Sequence, residues 1–403
     1  MTPRRLRHAF ALSVTLLLTV PLLALLCKGH TPSRFASINL PPWERQTPRP
    51  ALCRAPRRAS PAAPGQVQLP DAVLNRLFLR VDQRRLFHAV EHPKQTSNPL
   101  DAGQPGIWLE AACALGRQNP KLGSEQDLVA LRLMGAQDED GFLGDSPSKR
   151  AWNAADATTQ GQNICGLLAY YDITHTPAVV YAAVLAGNLL LSKCADRLGT
   201  PQTDLALPLV RLYQETADTA FLTGALRLSQ QGAIDGPGLC ALYAATGHPE
   251  FLHSAQARWK AGEQTPTLAA TLYHWTAAPG YAAFLTRAAA SPDLENLPAL
   301  VSCTYLHTPA GITVNLPLDS QATLGTVHLI QQHDPATGSD RFTVQMPHPT
   351  ALALRLARPS GAKTALHLFI NGVAQPHPAL SGSYLTLARH WKPGDVVVVK
   401  PRA

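Results

Sequence analysis

The sequence predicts an α domain of stacked antiparallel helical hairpins followed by an antiparallel β-sandwich, and three observations carry that prediction. A tetrad recurs at intervals of 42, 30 and 30 residues: Tyr171 with Thr174, Tyr213 with Thr216, Tyr243 with Thr246, and Tyr273 with Thr276. Repetition at such a period marks a repeated supersecondary unit rather than a doubly wound sheet. Three of the four turns that follow carry proline six places after the tyrosine (Pro177, Pro249, Pro279). Proline suits the first turn of a helix and not its interior, so each turn ends one helix and opens its partner. After about Leu300 the apolar pattern shortens to alternating runs, as half-buried strands require.

Each tyrosine closes an apolar stretch, with an apolar residue or tyrosine four and one places before it: Leu167 and Tyr170, Leu209 and Leu212, Leu239 and Leu242, Ala269 and Leu272. Val179, Phe221, Phe251 or Tyr281 then begins an alanine-rich second stretch. With the pair from Ile107 to Gln137, the α domain, residues 67–300, holds at least five hairpins. Asp71 to Glu91 offers one further helix and Asp293 to Ala299 hardly another. In residues 301–403 the expected strands are Thr313 to Leu316, Thr326 to Gln331, Arg341 to Gln345, Ala351 to Leu356, Ala365 to Ile370, Tyr384 to Leu387 and Val396 to Val399. Asn371-Gly372 and Pro393-Gly394-Asp395 supply turns between them.

The N-terminal part is different in kind. Arg4, Arg5 and Arg7 precede an uncharged run from Phe10 to Leu26, the layout of an export signal or a single membrane anchor over residues 1–27. Leu25 and Leu26 stand where cleavage wants small residues, so both readings stay open; either places the body outside the cytoplasm, periplasmic or extracellular. Residues 28–66, rich in Pro, Arg and Ala, read as a tether that buries nothing. Residues 1–66 carry ten Arg or Lys against the single acid Glu44, leaving the remainder near −1. The basic charge therefore belongs to the arm, where it would meet an anionic membrane surface. No folded region offers a basic stripe for nucleic acid.

Of the seven cysteines, Cys113, Cys165, Cys194 and Cys240 fall in apolar helical stretches, where buried free thiols are expected. Local spacing supports no metal site, since no CxxC pair occurs. Neither a Gly-rich phosphate loop nor a GxSxG elbow is present, which argues against nucleotide and esterase chemistry. Asp138, Glu139 and Asp140 beside Gly141 read as a solvated turn, and His248-Pro249-Glu250 as the turn of the repeat.

The tail from Ala351 to Val399, with Leu354-Arg355-Leu356, Asn371-Gly372, Gly382-Ser383-Tyr384, Arg389-His390-Trp391-Lys392 and Gly394-Asp395-Val396, resembles the β-sandwich of glycoside hydrolase family 127, the β-L-arabinofuranosidases. Trp108 to Ala112, Asp140-Gly141-Phe142-Leu143 and Leu205 to Tyr213 are similar to that family's helical domain. The resemblance runs over roughly residues 75 to 400. It implies an (α/α)6 barrel, complete or one hairpin short, that binds carbohydrate at one mouth and packs on β-sandwich material.

The resemblance also implies site positions. Family members hold zinc through a Glu-Thr-Cys segment and a Cys-Cys pair, one cysteine of which attacks the anomeric carbon. Here the first segment aligns with Gln264-Thr265-Pro266 and the pair with Ser302-Cys303, leaving one thiol and no retained zinc ligand set. Glu263 is the nearby carboxylate, one place out of register. Two pocket histidines align with Gln162 and Gln202, and two family carboxylates with Asp156 and Asp204. The candidate catalytic residues are thus Cys303, Glu263, Asp156 and Asp204. Gln162, Gln202, Gln264, Ser302 and Trp152, the last as a sugar platform, are the candidate substrate contacts. Without a metal, a thiol with a reference pKa of ~8.5 stays mostly protonated at neutral pH, and loss of a general acid costs about 10²- to 10⁴-fold in rate. Asp156 and Asp204 would serve ordinary glycoside hydrolysis if they faced each other at roughly 5 to 9.5 Å. Two readings follow: an extracytoplasmic glycoside hydrolase acting on terminal sugars through a degenerate site, or a non-catalytic relative that binds glycan or a partner.

Overall fold

The structure is a computed structural model and describes residues 60–70, 105–116, 120–144, 152, 154–197, 205–232, 234–276, 278–289, 295–308, 311–357, 366–376, 380–381 and 384–401. The proposed export segment and most of the arm, with Asp71 to Glu91, lie outside the described residues. Among the described residues no helix is long and apolar enough to cross a membrane.

Eleven helices are described: α1 (Pro105–Ala114), α2 (Pro120–Gly135), α3 (Ala154–Thr174), α4 (Pro177–Arg197), α5 (Ala206–Thr216), α6 (Thr219–Gln230), α7 (Gly236–Thr246), α8 (Pro249–Lys260), α9 (Pro266–Thr276), α10 (Pro279–Ala289) and α11 (Leu297–Thr304). Six of them begin on proline, whose fixed φ and missing N–H cost nothing at a helix start. That is how a proline-rich chain remains helical.

The repeated Thr does a specific job at the end of α3, α5, α7 and α9. The hydroxyls of Thr174, Thr216, Thr246 and Thr276 donate to the carbonyl four residues back at 2.7–2.8 Å. Those of Thr216, Thr246 and Thr276 also accept the backbone N–H two residues on, at 3.2 Å. The residue after the threonine turns left-handed: His175 at φ 52°, Ala217 at 59° and Gly247 at 76°. The amides of all three return to the carbonyl of the repeated tyrosine, which caps the helix and reverses the chain in two residues.

Odd-numbered helices form an inner ring, α1 against α3, then α5, α7, α9 and α11, and α11 returns to α1. The ring therefore closes. The expectation that Asp293 to Ala299 hardly forms a helix is corrected by α11, whose Leu297, Leu300, Val301 and Cys303 are buried. Inner helices such as α1 and α7 are apolar nearly all round and bury most residues, as a helix packed on every side must. Outer α8 buries only Ala255. Between α1 and α3 the backbones touch, since a Cβ on Gly166 would stand 2.4 Å from the Gly106 carbonyl oxygen.

The β domain has two sheets. The first runs β1 (Ser60–Pro61), β3 (Tyr305–Thr308), β4 (Gly311–Val314), β8 (Thr350–Ala357), β12 (Tyr384–Trp391), β11 (Leu380–Ser381). The second runs β10 (Val373–Ala374), β9 (Leu366–Ile370), β13 (Asp395–Pro401), β7 (Ser339–Gln345), β6 (Val327–Asp334), β5 (Ser320–Leu324), β2 (Val67–Gln68). All seven expected strands are present. The expected antiparallel sandwich is present, with one parallel pair: β4 lies beside β8, Ile312 opposite Leu354. The tether also ends earlier than expected. Ser60–Pro61 pair with Leu306 and His307, and Val67–Gln68, expected to open the helical domain, pair with β5. Ala62, Val67 and Leu69 are buried. Their pairing covers an edge of each sheet that would otherwise expose unpaired backbone.

The barrel sits on the first sheet. Strand β3 follows α11 without a loop. The Tyr273 hydroxyl of α9 bonds that of Tyr384 in β12, which donates to Asn315 Oδ1 at 2.6 Å. Asn371 and Gly372, at φ 52° and 80°, make the expected hairpin turn between β9 and β10.

Candidate functional site

A cavity of about 820 Å³ opens at the end of the barrel where longer loops lead into the inner helices. Every inner helix contributes: Ile107 and Glu110 from α1, Gln162 and Cys165 from α3, Arg211 from α5, Pro237 from α7, His274 from α9 and Ser302 from α11. Gln264 and Glu295 are exposed at the rim.

The wall mixes apolar and polar groups, and both of its arginines are paired. Arg211 Nη1 lies 2.7 Å from Glu110 Oε1, and Nη2 3.8 Å from Asp172. Burial alone would lower the Arg211 pKa, but Cys165, Glu110 and Asp172 outweigh it and raise it; the guanidinium is permanently charged. Glu263 Oε1 accepts the Gly236 N–H at 2.6 Å, and Oε2 lies 3.5 Å from Arg258. With Asp235, which accepts from Gly238 N, Glu263 thus caps α7, where a carboxylate complements the helix dipole. The Gln162 Oε1 is buried and has no hydrogen-bond partner among the described residues.

The sequence-derived positions divide. Gln162, Glu263, Gln264 and Ser302 line the cavity. Cys303 is fully buried behind it, Sγ 3.4 Å from His274 Nε2 and 3.8 Å from the Ala270 carbonyl. Burial pushes its pKa up to about 12, opposed by the Ser302 hydrogen bond, so the thiol stays protonated at neutral pH. The Ser302 hydroxyl donates back to Ala299 O within its own helix. Asp156, in the first turn of α3, is not among the residues lining the cavity. Trp152 packs edge-on against Phe142 at 6.1 Å, and is likewise absent from the lining. Gln202 and Asp204 lie outside the described residues, so the pairing of Asp156 with Asp204 does too.

Zinc does not fit what the structure describes. Among the described residues no three His, Cys, Asp or Glu side chains are grouped to hold a metal ion. The remaining thiol, Cys303, is occupied with a histidine and a carbonyl. Cys113, Cys165, Cys240 and Cys303 are buried and form no disulfide among the described residues; Cys194 falls where side chains are not described. The acidic turn is structural, Asp140 Oδ1 accepting from Phe142 N at 3.0 Å while Gly141, at φ 96°, packs on the Leu185 carbonyl. His248 is an exposed N-cap residue beside Glu250.

Glu110, Arg211 and His274 were not expected at the site. Each had a signal: a lone charged or titratable residue inside an apolar inner-helix run, as in Leu209-Val210-Arg211-Leu212-Tyr213. An isolated charge there must find a partner or a wet cavity.

Residues 311–401 match the family model described as the β-L-arabinofuranosidase, GH127 middle domain. No curated protein matches by sequence. Among solved structures, the GH127 β-arabinofuranosidase BT3674 is similar at a TM-score of 0.62 and 17% identity, over 85% of this chain and 80% of its own. The GH127 β-L-arabinofuranosidase Ara127N of Geobacillus stearothermophilus T6 gives 0.59 and 16%, over 83% and 81%. A third, titled glycoside hydrolase, gives 0.60 and 15%, over 88% and 80%. At such identities these likenesses speak for the fold, and the family model speaks for the β domain. By sequence, residues 311–401 carry the middle domain of glycoside hydrolase family 127, on a chain that shares the fold of these structures along most of its length.

Proposed function

We propose that this glycoside-hydrolase-like protein takes a terminal sugar of a glycan into the barrel cavity and that the thiol-and-zinc chemistry of its family does not operate in it. The apolar run from Phe10 to Leu26 would deliver the body outside the cytoplasm, where glycans are met. One observation carries the reading. The cavity is lined by polar residues from the inner ring, Glu110, Gln162, Arg211, His274 and Ser302, while the thiol at the family nucleophile position is sealed behind His274. Sugar hydroxyls both donate and accept, so they suit a wall in which acceptors and donors alternate. A thiol with a pKa of about 12 supplies no nucleophile at neutral pH, and Glu263, its carboxylate bonded to Gly236 N and Arg258, holds a helix in place instead of a proton for a leaving group.

The test combines titration calorimetry against arabino-oligosaccharides with a turnover screen on aryl glycosides, β-L-arabinofuranoside included, with and without zinc. Binding is expected, with no zinc-dependent turnover and no effect of Cys303→Ala. Zinc-dependent hydrolysis abolished by Cys303→Ala would restore the family mechanism, and failure to bind any glycan would remove the cavity's assigned role.

A further inference from the structure

We propose that the Glu110–Arg211 pair is the specificity element of the cavity, reading adjacent hydroxyls of an uncharged sugar and turning anionic sugars away. This deepens the glycan-binding reading and rests on it. Helices α1 and α5 are not neighbours in the inner ring, since α3 lies between them. The 2.7 Å contact therefore crosses the lumen face of α3, where Gly161 and Cys165 also line the cavity and are small enough to leave the pair room. Both side chains keep partial exposure, 21% and 31%, so neither is sealed in the packing.

The hydrogen-bonding inventory is what selects the ligand. Nη1 serves Glu110 Oε1, and Nη2 is 3.8 Å from Asp172, too far for a direct hydrogen bond. The guanidinium has five donors in a planar fork, which leaves N–H groups for a ligand beside the Glu110 carboxylate. Two neighbouring hydroxyls of a sugar, one accepting from Arg211 and one donating to Glu110, match that edge. A uronate, sulfate or phosphate would need a cation not already neutralised. Arg211 is faced by Glu110 and Asp172, and Arg258, the other arginine of the wall, by Glu263. An anion entering would also meet Asp235 and Glu295 at the mouth.

The experiment measures binding of neutral arabino-oligosaccharides, matched deoxy analogues and galacturonate-containing oligosaccharides to wild type, Glu110→Gln and Arg211→Lys. The expected result is a loss of about 10- to 100-fold for the neutral glycan in each variant, as for a hydrogen bond to a charged group. The wild type should also discriminate against a deoxy analogue that the variants no longer distinguish. A purely structural pair would weaken all ligands alike and leave that discrimination intact, which would overturn the inference. Galacturonate binding tighter than neutral-sugar binding in wild type would overturn it as well. If wild type binds no glycan at all, the parent reading fails and this one with it. If Arg211→Lys does not fold, the near-isosteric Glu110→Gln decides alone.

Discussion

Removing one oxygen at the junction of barrel and sandwich should be unusually costly. Asn315 Oδ1 can only accept, so the Tyr384 proton goes to it and Tyr273 must donate to Tyr384. In Tyr384→Phe both the Tyr273 hydroxyl and Asn315 Oδ1 lose their partner, beside an Asn315 Nδ2 that already has none among the described residues. Tyr273, Tyr384 and Asn315 are all buried, at 3%, 6% and 0% exposure. A buried polar group left unsatisfied costs about 1–3 kcal/mol, so two of them put the loss at roughly 2–6 kcal/mol, a large part of the 5–15 kcal/mol typical of a folded domain. Tyr273→Phe should cost less, about 0.5–1.5 kcal/mol, because Tyr384 still reaches Asn315. The double variant orphans only Asn315 and should be more stable than Tyr384→Phe alone. Urea unfolding followed by circular dichroism and by tryptophan fluorescence measures the cycle. A Tyr384→Phe loss below about 1 kcal/mol, or a double-variant loss equal to the sum of the singles, would refute the relay.

Three further outcomes are expected. Ala217→Gly should stabilise by about 0.5–1 kcal/mol, since a left-handed residue at a helix end favours glycine; Gly247→Ala at the equivalent turn should lose a similar amount, both read by thermal melting. Cys303 should resist iodoacetamide at pH 8 in the native protein and react in urea, by peptide mass mapping, and native labelling would contradict its burial. Burial, with Asp172 adding and Arg211 opposing, raises the Glu215 pKa. A carboxyl raised on folding favours the folded state below its unfolded pKa, and that benefit is lost as pH rises through the folded value. Glu215→Gln should therefore raise Tm at pH 7 and leave it unchanged near pH 3, and a loss of Tm at pH 7 would reverse the sign.

Much of the fold could be read locally. The Tyr–Thr repeat, the prolines and the alternating runs each encode a backbone state over a few residues, and the capping hydroxyls and left-handed turns show why those residue types recur. Strands β1 and β2 were not legible, because two residues of arm carry no period; only a waiting sheet edge makes them strands. Helix α11 was hidden for a similar reason, being eight residues long and running directly into β3.

The candidate site was legible in part. Gln162 and Ser302 reach the cavity because their helices place them there, and Gln264 from the segment that leads into α9, whereas Glu263 reaches it yet spends its carboxylate on α7. Glu110 and Arg211 are 101 residues apart, and no local pattern pairs them.

The sequence by itself determined the repeated helices, the longer strands and the turn between each helix pair. Ring closure decided the rest. Only when α11 meets α1 do six helix faces share one lumen, sealing Cys303 behind His274 and setting Glu110 against Arg211. Periodicity is a property of neighbours along the chain, but burial, charge pairing and the pKa values that follow from them belong to neighbours in space.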